Sequence, residues 1–103
     1  MNQNNFTIEI HREIQFDLQE AVDYYNSKQE NLGHKFYWNA RKKMNSLSTD
    51  ALLFSVKYKN IRCAKVPLFP YLIHYKINLE SNKVMIEAVI SMKKSPDLNW
   101  GKR

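Results

Sequence analysis

The chain has 103 residues, 44% of them hydrophobic and 25% charged, with a formal net charge of +6. That length fits one domain spanning residues 1–103, with enough apolar residues to fold without disulfide or metal staples. A single cysteine, Cys63, excludes an internal disulfide and a cysteine-pair metal knuckle, which fits a reduced, cytoplasmic setting. No apolar run nears the roughly 18 residues of a membrane span, and the polar start Met1-Asn-Gln-Asn-Asn5 is not a targeting segment, so no membrane partner is expected. The excess of Lys and Arg over Asp and Glu points to a polyanionic partner: nucleic acid, a nucleoprotein or an acidic protein.

Phe6, Ile8 and Ile10 alternate with Thr7 and Glu9, which predicts a short edge strand ending near His11. From Glu13 to Gln29 the apolar residues Ile14, Leu18, Ala21, Val22 and Tyr25 recur at steps of three and four, the stripe of an amphipathic helix. After a break around Ser27 to Asn31, a second helix carries Leu32, Phe36, Ala40, Met44 and Leu47, with Lys35, Arg41, Lys42 and Lys43 outside, and ends at Ser48-Thr-Asp50. Two such helices joined by a few residues form an antiparallel hairpin, because neither buries its stripe alone. Tyr24, Tyr25, Phe36, Tyr37 and Trp38 read as helix–helix and helix–sheet core.

Leu52 to Tyr58 reads as a strand. The stretch Asn60 to Ile77 then reads as two strands around the turn Pro67-Leu-Phe-Pro70. Its second arm alternates strictly, with Tyr71, Ile73, Tyr75 and Ile77 on one face and Leu72, His74 and Lys76 on the other. The two prolines belong at strand ends, since they donate no ladder hydrogen bond. Leu79-Glu-Ser-Asn82 supplies a turn, and Lys83 to Ser91 is the last strand. It is apolar on both faces, Val84, Ile86, Ala88 and Ile90 on one and Met85 and Val89 on the other, which predicts an interior position in the sheet. Lys93-Lys94 to Trp100 closes the chain as a basic loop, and Trp100 is expected to dock on the sheet.

Five features, in order, resemble the RelE/ParE superfamily, the toxins of bacterial type II toxin–antitoxin pairs. They are Tyr24-Tyr25 late in the first helix, Leu32-Gly33 with Phe36 opening the second, Ile61-Arg62 at the head of a strand, Phe69-Pro70-Tyr71 with Tyr75, and Ala88-Val89 leading to Pro96 and Trp100. The resemblance implies an α+β fold of order β-α-α-β-β-β-β, with the helix hairpin on one face of a small twisted, mainly antiparallel sheet. It also implies a cognate antitoxin whose disordered segment folds as it wraps the toxin, and no cofactor.

Two branches of the superfamily differ in chemistry. RelE-like toxins cleave mRNA on the ribosome with Arg, Lys and His or Tyr side chains, whereas ParE-like toxins bind DNA gyrase and need no catalytic set. Where many members carry a His just after the last strand, this chain has Ser91. A positioned acid or base contributes about 10² to 10⁴ in rate, and a hydroxyl titrates too high to replace it. Lys93 or Lys94 could take that part only if its pKa fell from about 10.4 to near 7, a shift of roughly 4 kcal/mol that requires burial. The reading is therefore a ParE-like binder of gyrase, not an enzyme. The alternatives are a ribosome-dependent endoribonuclease using Arg62, Lys93, Lys94 and Tyr71, or a non-toxic antitoxin-binding member.

For target or antitoxin binding the candidates are Arg62, Lys57, Lys59, Lys65, His74, Lys93, Lys94 and Trp100. Arg62 matches the Arg of the family's Ile-Arg strand, and its structural alternative is a pair with Glu87. The three lysines read as phosphate contacts or a solvated face. His74 reads as a surface or rim histidine, and Cys63 as a small core residue. His11 and His34 have no second ligand at metal-binding spacing, so no metal is expected.

Overall fold

The computed structural model describes residues 5–93; Lys94, Pro96 and Trp100 lie outside the described residues. The elements are β1 (Thr7–Ile10), α1 (Arg12–Lys28), α2 (Leu32–Asp50), a 3-10 turn (Ala51–Leu53), β2 (Val56–Tyr58), β3 (Ile61–Lys65), β4 (Tyr71–Asn78) and β5 (Lys83–Ser91). They build one five-stranded sheet of order β1-β5-β4-β3-β2. Only β1 and β5 run parallel. The expected β-α-α-β-β-β-β order holds, with β1 at an edge and β5 inside.

The apolar stripes account for the helix hairpin. Ile14, Leu18 and Ala21 of α1 and Phe36, Ala40, Met44 and Leu47 of α2 are buried together over the sheet. The connection turns at Asn31, whose φ of 70° is a left-handed conformation that asparagine tolerates. Gly33 then donates its N–H to the Asn26 side chain at 2.8 Å. A Cβ at Gly33 would collide with the Val22 carbonyl oxygen, so the helices cross there with only glycine between them.

Register fixes the two faces of the sheet. Ala64, Ile73, Tyr75, Val84, Ile86 and Val89 join the helix core, while Cys63, Leu72, His74, Ala88 and Ile90 alternate onto the opposite face. The expected alternation of β5 breaks at Glu87. His74 pairs with Ala88 but Tyr75 pairs with Ile86, so Glu87 is a bulged residue and the phase shifts by one beyond it. Ala88 and Ile90 therefore leave the face of Val84 and Ile86, and Val89 takes their place in the core.

The strand expected over Leu52 to Tyr58 is a second correction. Its first part is the 3-10 turn, and only Val56–Tyr58 pairs as a strand. Side chains from the sheet explain this: the Tyr75 hydroxyl donates to the Ala51 carbonyl at 2.6 Å, and the Arg62 guanidinium donates to the Phe54 carbonyl. Carbonyls satisfied by side chains need no ladder partner, and the fully buried Ala51 pins the turn against the core.

Candidate functional site

The candidate residues separate into three places. The first is the end of the sheet where α2 runs into the 3-10 turn. Arg62 pairs across the ladder with Tyr75 on the helix side, half-buried, with its guanidinium on the Phe54 carbonyl. This places a fixed positive charge close to the C-terminal end of α2, where cations are favoured. Burial pushes the Tyr75 hydroxyl up to about 12 against the opposing pull of Arg62, so it stays a protonated donor to Ala51. The expected alternative partner of Arg62 is taken, since Glu87 lies 3.9 Å from Lys76.

The second place is the sheet face turned away from the helices. His74 is fully buried there, which corrects its reading as a surface or rim residue. Its Nδ1 lies 2.9 Å from the Tyr58 hydroxyl and 3.6 Å from Cys63 Sγ, and this polar pairing lets an imidazole sit among apolar neighbours. Burial raises the Cys63 thiol, with Lys57 pulling the other way. Cys63 is thus a buried, protonated thiol. Lys57, Lys59 and Lys65 are exposed. Lys59 forms the β2–β3 turn at φ 49°, and Lys65 Nζ donates to the Val66 and Phe69 carbonyls at 3.1 Å each, tying down the proline turn.

The third place is a cavity of about 660 Å³ between α1 and the end of the sheet where β4 begins and β5 finishes. Topology opens it. β1 pairs with β5 only as far as Ile10 opposite Ile86, so the last residues of β5 have β4 beside them but no β1. Asp17, Glu20, Tyr24 and Tyr25 line it from α1, with Tyr71 from β4 and Lys93 just past β5. Pro70, Val89 and Ile90 add an apolar floor.

Tyr25 meets Tyr24 edge-on at 5.1 Å between ring centres and Tyr71 at 6.0 Å. Burial raises the Tyr25 and Tyr71 hydroxyls, and Glu20 adds to the effect at Tyr71. Ser91, opposite Tyr71 in the ladder, accepts the Lys93 N–H on its Oγ at 3.2 Å and closes the end of the strand. Tyr24 and Trp38 correct the all-core reading of the helix aromatics: they are 51% and 53% exposed, while Phe36 is buried and Tyr25 and Tyr37 pack partly. Trp38 donates its indole N–H to His34 Nε2 at 3.0 Å on the outer side of α2.

Of the residues proposed for ribonuclease chemistry, Tyr71 and Lys93 meet at the cavity and Arg62 does not. Arg62 pairs with Tyr75, four residues or about 13 Å along β4 from Tyr71. No cluster of three or more His, Cys, Asp or Glu side chains suited to a metal occurs among the described residues. Sequence reasoning missed Asp17 and Glu20, which lie outside the apolar stripe of α1. The signal was present: Glu20 precedes Tyr24 by one helical turn, so carboxylate and ring share a face.

No protein-family model matches the chain, and no curated protein matches it in sequence. Solved structures do match. A chain of the chromosomal ParDE toxin–antitoxin system from P. aeruginosa superposes with a TM-score of 0.74 at 12% identity, covering 86% of this chain and 98% of that one. A chain of the toxin–antitoxin complex RelBE2 from Mycobacterium tuberculosis gives a TM-score of 0.56 at 15% identity, covering 87% and 94%. At such identities the likeness is one of fold.

Proposed function

We propose that this chain, which has the RelE/ParE fold, is the toxin of a type II toxin–antitoxin pair. In this reading it is a ParE-like protein that arrests growth by binding DNA gyrase and is silenced by a cognate antitoxin. The observation that carries the reading is the dispersal of the groups a ribonuclease would need to bring together. Arg62 is anchored to the Phe54 carbonyl on the helix side, Ser91 stands where, by the resemblance, many family members carry a His, and the face away from the helices is centred on Cys63, Leu72, Ala88 and a buried His74. A phosphoryl transfer needs donors converging on one phosphate, and residues about 13 Å apart along a strand do not converge. The larger TM-score to the ParDE chain than to the RelBE2 chain supports the same branch.

Binding in place of chemistry also suits the charge. Lys57, Lys59, Lys65 and Lys93 are exposed on a chain of net charge +6, which speeds encounter with an acidic or nucleic-acid-bearing target. The test is supercoiling of relaxed plasmid by purified gyrase. Added chain inhibits it, Ser91→Ala inhibits equally, and addition of the protein encoded beside this chain's gene relieves the inhibition. Undisturbed supercoiling, together with mRNA cut on ribosomes in an Arg62-dependent way, would instead establish the ribonuclease reading. No growth defect on expression without the antitoxin would mark a non-toxic member.

A further inference from the structure

The cavity beside α1 has a chemistry opposite to that of the rest of the molecule. The chain is basic, yet here two carboxylates, Asp17 and Glu20, and one ammonium, Lys93, stand around three tyrosines. Glu20 carries no ion pair among the described residues, and its charge reaches Tyr71 across the cavity. The Tyr24 ring already receives a cation on one side, with Lys28 Nζ 5.2 Å from its centre. Neutral tyrosine rings attract cations through their faces, and desolvation strengthens that attraction. Raised hydroxyl pKa values keep Tyr25 and Tyr71 in that neutral form.

From the tyrosine rings, the unpaired Glu20 and the opening left by the short β1, we infer that this cavity receives an arginine side chain presented by a partner polypeptide. Arginine fits better than lysine because a planar guanidinium can stack on a tyrosine while one edge donates two parallel N–H bonds to a carboxylate. A volume of about 660 Å³ also exceeds what one side chain fills, leaving room for the apolar residues beside the arginine against Pro70, Val89 and Ile90. If the toxin reading holds, on which this identification rests, the partner is the antitoxin. Its docking segment then carries acidic residues for the basic surface and one arginine for this cavity.

The test needs neither toxicity nor the antitoxin, so its failure is separable from failure of the toxin reading. The full-length chain with labelled tyrosine rings is titrated by NMR with Nα-acetyl-arginine amide and, in parallel, with the citrulline amide, a neutral isostere. The expected result is saturable movement of the Tyr24, Tyr25 and Tyr71 ring signals with arginine, little with citrulline, and an affinity about tenfold weaker in Glu20→Gln. An equal response to citrulline would mean a merely apolar hollow, and no response, or one indifferent to Glu20→Gln, would equally overturn the proposal. A response appearing only once Trp100, Lys102 and Arg103 are replaced in the full-length chain would give the cavity to the chain's own C-terminal segment instead.

Discussion

Tyr71 and Tyr75 lie on one strand, on one face, four residues apart, and serve opposite ends of the molecule. Tyr75 is fully buried, and its hydroxyl closes the turn after α2 by bonding Ala51. Tyr71 is half-buried and forms the wall of an open cavity. The side chains are identical, so the difference lies in what crosses them. At Tyr75 the 3-10 turn and Arg62 seal the sheet. At Tyr71 β1 has already turned into α1, and the end of β5 has β4 on one side and no described strand on the other. A strand pattern thus identifies an inward face, but the neighbouring elements decide which inward residue is core and which is binding wall.

The sharpest way to break this comparison is to truncate both rings. Tyr75→Ala is expected to cost about 3 to 5 kcal/mol, as for other large buried aromatics, and Tyr71→Ala about 1 kcal/mol. Urea unfolding of the two variants checks this, and equal losses would contradict the division into closed and open ends. The next effect is in pH. In the fold Tyr75 is raised to about 12, and Tyr25, Tyr71 and Cys63 shift the same way, so folding favours their protonated forms.

Their stabilisation is complete below the unfolded pKa values and is lost as pH rises through the folded ones. For Tyr75 alone the loss reaches about 3 kcal/mol between roughly pH 10 and 12, with Cys63 starting the decline somewhat earlier. Urea midpoints followed upward from about pH 8 should fall accordingly, and fall less steeply in Tyr75→Phe.

Arg62→Ala should cost about 2 kcal/mol, the range for a hydrogen bond to a charged group, without abolishing growth arrest while the variant stays folded. Loss of arrest in a folded Arg62→Ala chain would make that side chain part of the working surface. The smallest effect is expected at the cavity. Glu20→Gln should change stability by less than about 0.5 kcal/mol while weakening partner binding, a split that calorimetry of folding and of binding can read.

The elements were legible because their periodicities are strong. The stripes of α1 and α2, the alternation of β4 and the break at Pro67 to Pro70 each answer to one local rule. What escaped depends on residues distant in sequence. The bulge at Glu87 is invisible in an apolar strand whose two faces read alike, yet it moves Ala88 and Ile90 out of the helix core. The turn over Ala51–Leu53 reads as a strand until Tyr75 and Arg62 arrive to hold its carbonyls.

His74 looked peripheral because it alternates with a core face, and its partners Tyr58 and Cys63 come from two other strands. The cavity was hidden for the same reason: Glu20 and Tyr71 are 51 residues apart and meet only when α1 lies over the end of the sheet. The lysines, by contrast, were readable one by one, since exposure is the ordinary state of that side chain.

The central claim is that this chain stops growth by binding and not by cutting RNA. Pulse-labelling of DNA and protein synthesis within minutes of inducing the chain alone tests it most directly, because the two targets halt different polymers first. DNA synthesis should fail first, with protein synthesis following later. Protein synthesis failing first, with Arg62 and Lys93 required for the effect, would contradict the account.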